Sequence, residues 1–400
     1  MQRLKVIPQS VTAQLAARHQ PSGLNSRFNG GQLAFADYVA HHRQMIAQAR
    51  AASGASRLEK IVDGNAPFEL HPTPASPSGR EKPYRRGVLL THGLTDSPYF
   101  MRHLAAFFQE HGFRVMAVLL PGHGTQPGDL LDVSWQEWAR ALDYGTNSLA
   151  AEVDEVYLAG YSTGGALSVY QSLRDNRVRG LFLFSPAFRI SARARLATLH
   201  KIYSWLIPSA KWLDIMPDRD IYKYESFPKN AAAQTYTLTK ILDAQLQQRA
   251  LNIPVFAAAS CDDTTVYTAA TVKFMAQMHH PSSKLVLYST DAENAPPGMP
   301  AEKLEMVNSV FPAQKILSSA HTAIVLPAED AHYGAAGDYS NCVHYYPADI
   351  EKYHACNSGD VLQGEISEAN LNAGTLRRLM YNPNFAALKI SMKKFIDDLP

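Results

Sequence analysis

Through the middle of the chain, short apolar runs alternate with stretches of helical spacing. The runs at 87–90, 113–120, 156–159, 179–184, 254–260 and 284–289 have the length and near-continuous hydrophobicity of strands buried on both faces. Between them, Met101, Leu104, Phe107 and Phe108, then the segment 135–150, and later 269–278, carry the i, i+3, i+4 pattern of amphipathic helices. Strand–helix alternation of this kind predicts a mostly parallel, doubly wound α/β sheet covered on both faces. Right-handed crossovers would align the strand C-termini along one edge, where ligands bind in open sheets.

The flanks read differently. Residues 1–30 are polar and predict an irregular arm, followed by a helix over 35–51 (Phe35, Tyr38, Val39, Met45, Ile46). A short strand is expected at 68–70 and a Pro/Ser-rich loop over 72–83. The rhythm breaks at 191–252, where Leu196, Leu199, Tyr203 and Leu206, then Leu238, Ile241, Leu242 and Leu246, are helically spaced with no strand alternation. This position predicts a helical cap inserted over the strand ends, in preference to ordinary surface helices. A last short strand is expected at 314–317, and a closing helix over 384–399. The resulting division is an N-terminal arm and helix (1–85), a first core half (86–190), the cap (191–252), a second core half (253–324), an insertion (325–375) and a C-terminal helix of the core (376–400).

Composition narrows the function classes. The 38 basic and 36 acidic residues leave a net charge of +2, which gives no reason to expect nucleic acid or an anionic membrane as partner. No apolar run approaches the roughly 18–20 residues needed to span a bilayer, so no transmembrane segment is expected. The first residues include Arg3 and Lys5 but no apolar stretch behind them, so no signal peptide is expected and a cytoplasmic location is favoured. Of the three cysteines, Cys261 ends an apolar run and reads as a small buried hydrophobe. Cys342 and Cys356 are close enough in sequence for a disulfide, which would point instead to a periplasmic or secreted protein. Nearby His344 and His354 fit no standard zinc spacing, and no metal or cofactor is expected.

The candidate chemistry begins at Gly160-Tyr161-Ser162-Thr163-Gly164, which lies between a strand and a helix. That context is what a nucleophile elbow requires, because a residue thrust out at a strained strand-to-helix turn needs neighbours without bulk. A serine hydroxyl also needs a base within reach and a third group to fix that base. His321 follows the last expected strand, and Asp263 follows the strand ending at Ser260. Asp262 is the rival acid. Asp263 is preferred because the Asp-x-x-Val pattern it begins (Thr264, Thr265, Val266) opens the next helix. His332, His344, His279 and His280 read as solvated surface residues. Two backbone amides should face the developing oxyanion: that of Thr163, directly after the serine, and that of Leu94, after the first core strand. His92 reads as a brace for that loop.

The run Leu90-Thr91-His92-Gly93-Leu94-Thr95-Asp96-Ser97-Pro98, with Pro121-Gly122-His123-Gly124-Thr125, Trp135-Gln136-Glu137-Trp138 and the Ser162 motif, resembles the bacterial carboxylesterase and monoacylglycerol lipase group of α/β hydrolases. The order Ser162, Asp263, His321 is also that group's order. The resemblance is strong over 86–190 and looser over 253–325. It implies the α/β-hydrolase fold, cofactor-free hydrolysis of carboxylic esters through an acyl-enzyme, and the amides of Leu94 and Thr163 as the oxyanion hole. The cap aromatics Tyr203, Trp205, Trp212, Tyr222 and Tyr224 favour an apolar ester, such as an acylglycerol or lysophospholipid, as small-molecule partner. Amide or thioester hydrolysis on the same residues, and a non-catalytic binding protein on this scaffold, are the alternatives. The long arm, the extra segment between acid and histidine, and the 325–375 insertion depart from the group's pattern.

Overall fold

Side chains alternate along the central strands, and both sides find a core. Val88 and Leu90 pack with Leu104, Phe108, Leu388 and Phe395, whereas Leu89 between them packs with Trp138, Leu142, Leu158 and Leu167. A sheet apolar on both faces must be covered on both. The computed structural model describes residues 15–399 apart from 53, 55–56, 73–80, 192–193 and 195–207. In chain order the first elements are α1 (Phe35–Ala52), α2 (Leu58–Asn65), β1 (Phe68–Leu70), β2 (Tyr84–Thr91), α3 (Arg102–Glu110), β3 (Phe113–Val118), α4 (Trp135–Glu152), β4 (Val153–Tyr161), α5 (Thr163–Ser172) and β5 (Val178–Phe184). They are followed by β6 (Trp212–Asp214), β7 (Phe227–Pro228), α6 (Lys229–Gln248), β8 (Val255–Ser260), α7 (Thr268–Ala276), β9 (Lys284–Ser289) and β10 (Leu304–Asn308). The last are α8 (Ile350–Ser358), β11 (Leu362–Gly364), α9 (Glu368–Ala373), β12 (Leu376–Arg378) and α10 (Phe385–Asp397).

Eight strands form the main sheet in the order β1-β3-β2-β4-β5-β8-β9-β10. Only β1 runs antiparallel to its neighbour. Helices α3 and α10 contribute to the core on one face, and α4, α5 and α7 to that on the other. This is the doubly wound sheet that the alternation predicts, with the ends of β2, β4 and β8 on one edge. Among the described residues, no helix is long and apolar enough to cross a membrane.

Three expectations need correction. The 191–252 segment is not helical throughout: β6 and β7 pair as an antiparallel ribbon before α6. Strands of two and three residues, one ending in Pro228, are too short to show an alternating pattern. The expected helical positions Leu196, Leu199, Tyr203 and Leu206, and the aromatic Trp205, lie outside the described residues. The expected strand at 314–317 is also absent. Pro312–Gln314 is a 3-10 turn and Lys315 has a left-handed φ of 57°, so the last strand of the sheet is β10 instead. Its residues are half-buried or exposed, as an edge strand's are, and carry no continuous apolar run. Finally, Cys261 is exposed at the end of β8, not buried.

Candidate active site

Ser162 is held at the junction of β4 and α5 with φ 53° and ψ −116°, a conformation that costs a non-glycine residue about 1–3 kcal/mol. The surroundings enforce it. The Ser162 amide donates to the Phe184 carbonyl (2.9 Å), and its carbonyl accepts from Gly165 (3.0 Å) and Ala187 (3.0 Å). The turn is tight enough that a Cβ on Gly160 would lie 2.3 Å from the backbone of Gly164, and one on Gly164 would lie 2.2 Å from the Thr91 carbonyl oxygen. Glycine at both positions is therefore a packing requirement.

His321 and Asp263 come to this serine from loops on the same sheet edge. The His321 Nε2 lies 3.0 Å from Ser162 Oγ, and its Nδ1 lies 2.6 Å from Asp263 Oδ2. The other oxygen of Asp263 accepts from the amides of Thr265 (2.7 Å) and Val266 (2.9 Å), which fixes the carboxylate through the Asp-x-x-Val turn. Asp262 faces elsewhere, accepting from Thr290 and from Ser309. Ser162 and His321 are 7% and 5% exposed, so the hydroxyl and imidazole are largely shielded from bulk solvent. The backbone of His321 is anchored by Tyr161, whose hydroxyl donates to the histidine carbonyl (3.1 Å).

Leu94 and Thr163 both line the cavity beside Ser162. The loop carrying Leu94 is braced by two buried imidazoles. His92 donates from Nδ1 to the Gly93 carbonyl (2.8 Å) and accepts the Leu120 amide at Nε2 (3.1 Å). His123 accepts the Thr95 amide (3.1 Å) in the same way. Burial pushes the pKa of His92 well below its ordinary value and that of His123 down to about 4, so both stay neutral. From the 191–252 segment, Lys223 pairs with buried Asp96 and donates to Thr95 (2.9 Å), while the Tyr224 amide donates to the Thr95 carbonyl (2.8 Å). The 191–252 segment thus grips the Leu94 loop directly.

The cavity above Ser162 has a volume of about 700 Å³. Leu94, Ile190, Leu213, Phe227, Val266 and Ile366 supply apolar walls, and Lys223, Glu225 and Arg378 supply charge. Burial pushes the Glu225 carboxyl up to about 7. Of the cap aromatics, Tyr224 lines the cavity, whereas Tyr222 stacks on Tyr99 (3.8 Å between centroids) and Trp212 packs against His19. Two histidines depart from the surface reading. His332 is buried between Asp220 and Asp338, and although burial alone would lower its pKa, the two carboxylates raise it above the ordinary value. His344 is half-buried, and burial pushes its pKa down to about 4. His279 and His280 remain exposed and half-buried, respectively. Among the described residues, no group of three His, Cys, Asp or Glu side chains is placed to hold a metal ion.

Sequence reasoning did not reach Asp96, Lys223, Glu365 or Arg378. The only signal was weak: charged residues inside aromatic or apolar runs, such as Tyr222-Lys223-Tyr224. Cys342 and Cys356 are joined in a disulfide, with their Cα atoms 5.9 Å apart.

The sheet order, the strained serine and the hydrogen-bonded Ser162, His321 and Asp263 define an α/β-hydrolase fold with a serine-centred site. The chain belongs to the family described as serine aminopeptidase, S33, whose model matches residues 82–290. It is 32% identical over 108 residues to a thermostable monoacylglycerol lipase of Bacillus sp. (strain H-257), covering 27% of this chain and 43% of that protein. It is 29% identical over 85 residues to a carboxylesterase of Bacillus subtilis (strain 168), covering 21% and 35%. The chain therefore spans less than half the length of either curated relative. The solved structure of the metagenome-derived lipolytic enzymes LipS and LipT overlays at a TM-score of 0.47 with 22% identity, covering 57% of this chain and 93% of that one.

Proposed function

We propose that this protein is a serine-dependent carboxylic ester hydrolase acting on an ester with an apolar acyl group, of the acylglycerol or lysophospholipid kind. The observation that carries the reading is the pair of hydrogen bonds linking Ser162 to His321 (3.0 Å) and His321 to Asp263 (2.6 Å) at the floor of a largely apolar cavity. Ser162 Oγ attacks the ester carbonyl while His321 Nε2 takes its proton, and Asp263 holds the Nδ1–H and stabilises the imidazolium. The carbonyl oxygen becomes an anion facing the amides of Leu94 and Thr163. Collapse of the tetrahedral species breaks the C–O bond, His321 returns the proton to the departing alcohol, and the acyl group stays on Ser162. Water then attacks the acyl carbon, giving its proton to His321; the bond to Ser162 Oγ breaks, His321 returns that proton to the serine, and the carboxylic acid leaves. No step calls for a cofactor.

The names of the two Bacillus relatives support an ester over an amide or thioester, as do the apolar walls. The Cys342–Cys356 bridge supports an oxidising compartment, periplasmic or extracellular, over the cytoplasm. A panel of p-nitrophenyl esters and monoacylglycerols of increasing chain length, set against aminoacyl anilides, tests the reading. Hydrolysis of the esters, rising with chain length and lost in Ser162→Ala, is expected. Preferential cleavage of the anilides, or full ester hydrolysis by Ser162→Ala, would contradict it.

A further inference from the structure

The segment beyond residue 325 delivers a buried ion pair to the back of the candidate base. Glu365, which follows β11, is fully buried, and its Oε2 accepts the backbone amide of His321 (2.9 Å). Arg378, at the end of β12, pairs with both oxygens of Glu365, Nε to Oε1 at 2.9 Å and Nη2 to Oε2 at 3.0 Å. The same guanidinium donates from Nη2 to Thr265 Oγ1 (2.6 Å), and the Thr265 amide in turn donates to Asp263 (2.7 Å). One hydrogen-bonded ion pair therefore spans the loop of the histidine and the loop of the acid. Burial alone would raise the Glu365 pKa, yet the charge and hydrogen bonds of Arg378 hold it below the usual carboxylate range, so the pair is ionic.

The pair is itself rigidly mounted. Strands β11 and β12 run parallel with Gly364 opposite Arg378. The Leu317 amide donates to the Gln363 carbonyl (2.8 Å) and the Gln363 amide to the Lys315 carbonyl (2.9 Å), so β11 lies along the approach to His321. The Arg378 amide donates to the Asn341 carbonyl (2.9 Å), beside the Cys342–Cys356 bridge. Thr322, directly after the histidine, donates its hydroxyl to the Leu379 carbonyl (2.7 Å).

We propose that Glu365 and Arg378 are positioning residues that set the distance and orientation of His321 relative to Asp263, an inference that rests on the ester-hydrolase reading above. Neither touches the hydroxyl of Ser162; they act through the backbone of His321 and through Thr265. A misplacement of about 1 Å at such a base can cost on the order of 10²-fold in rate. Glu365 does not line the cavity, so substrate binding should change little when it alone is altered; Arg378 does line it, so KM is read on Glu365→Gln only.

The test is steady-state kinetics on a hydrolysed ester, with thermal melting in parallel. Glu365→Gln is expected to lower kcat roughly 10- to 100-fold with KM little changed. Because that variant leaves Arg378 buried without its partner, the double variant Glu365→Gln/Arg378→Met removes both charges together. It should melt closer to wild type and still show the lowered kcat, since nothing then ties residue 365 to Thr265. A purely structural pair would restore kcat along with the melting temperature. Wild-type kcat in either folded variant, or a loss confined to KM in Glu365→Gln, overturns the proposal. If Ser162→Ala is inactive while Glu365→Gln runs at full rate, the positioning role alone fails; an active Ser162→Ala removes both.

Discussion

At the scale of single residues, two adjacent aspartates separate by geometry. Asp263 has one oxygen on the His321 imidazole and the other on two amides of its own turn, whereas Asp262 is spent on Thr290 and Ser309. Asp263→Asn can preserve the shape of the site yet present an amide to Nδ1, which favours the wrong imidazole tautomer. A fall in kcat of about 10⁴-fold is expected. Asp262→Asn should leave kcat close to wild type, and comparable losses in both variants would contradict the assignment of the acid. The preference for Asp263 was legible because Asp-x-x-Val makes a turn just ahead of α7, and Ser162 was legible because its flanking glycines mark a turn without room for a Cβ. Glu365 and Arg378 were not legible: Glu365 accepts a backbone amide some forty residues away in sequence, Arg378 binds Glu365 and the distant Thr265, and no local pattern announces either.

At the scale of elements, the long, continuously apolar strands were readable from the chain, and so were the helices with a full turn-to-turn stripe. The strands that went unread have little burial of their own: β10 at the sheet edge, the β6–β7 ribbon, and the β11–β12 pair, which is held by neighbours more than by its own pattern. Their pairings join residues brought together by the fold, not by local pattern. Outside these strands, His332 was equally unread, bonded to Asp220 in the 191–252 segment and to Asp338 within its own. Its pKa in the folded protein is raised above that of the unfolded chain. The stabilisation it contributes is therefore complete below about pH 6.5 and is lost as pH rises through the raised value. Thermal melts taken from about pH 6 to pH 9 should show wild type losing stability relative to His332→Gln as pH rises. Parallel curves for the two proteins would contradict the ion-pair account.

At the scale of the whole molecule, a parallel sheet presents Ser162, Asp263 and His321 from three separate loops at one edge. The 191–252 segment grips the Leu94 loop through Lys223, and the late segment braces the histidine through Glu365. On the proposed mechanism these parts make one nucleophile out of an ordinary hydroxyl. The most direct measurement is reaction with a fluorophosphonate, followed by intact mass and peptide mapping. The account predicts a single phosphonyl adduct on Ser162, formed at a rate that falls sharply in His321→Ala. An adduct elsewhere, no adduct at all, or undiminished labelling without the imidazole would contradict it.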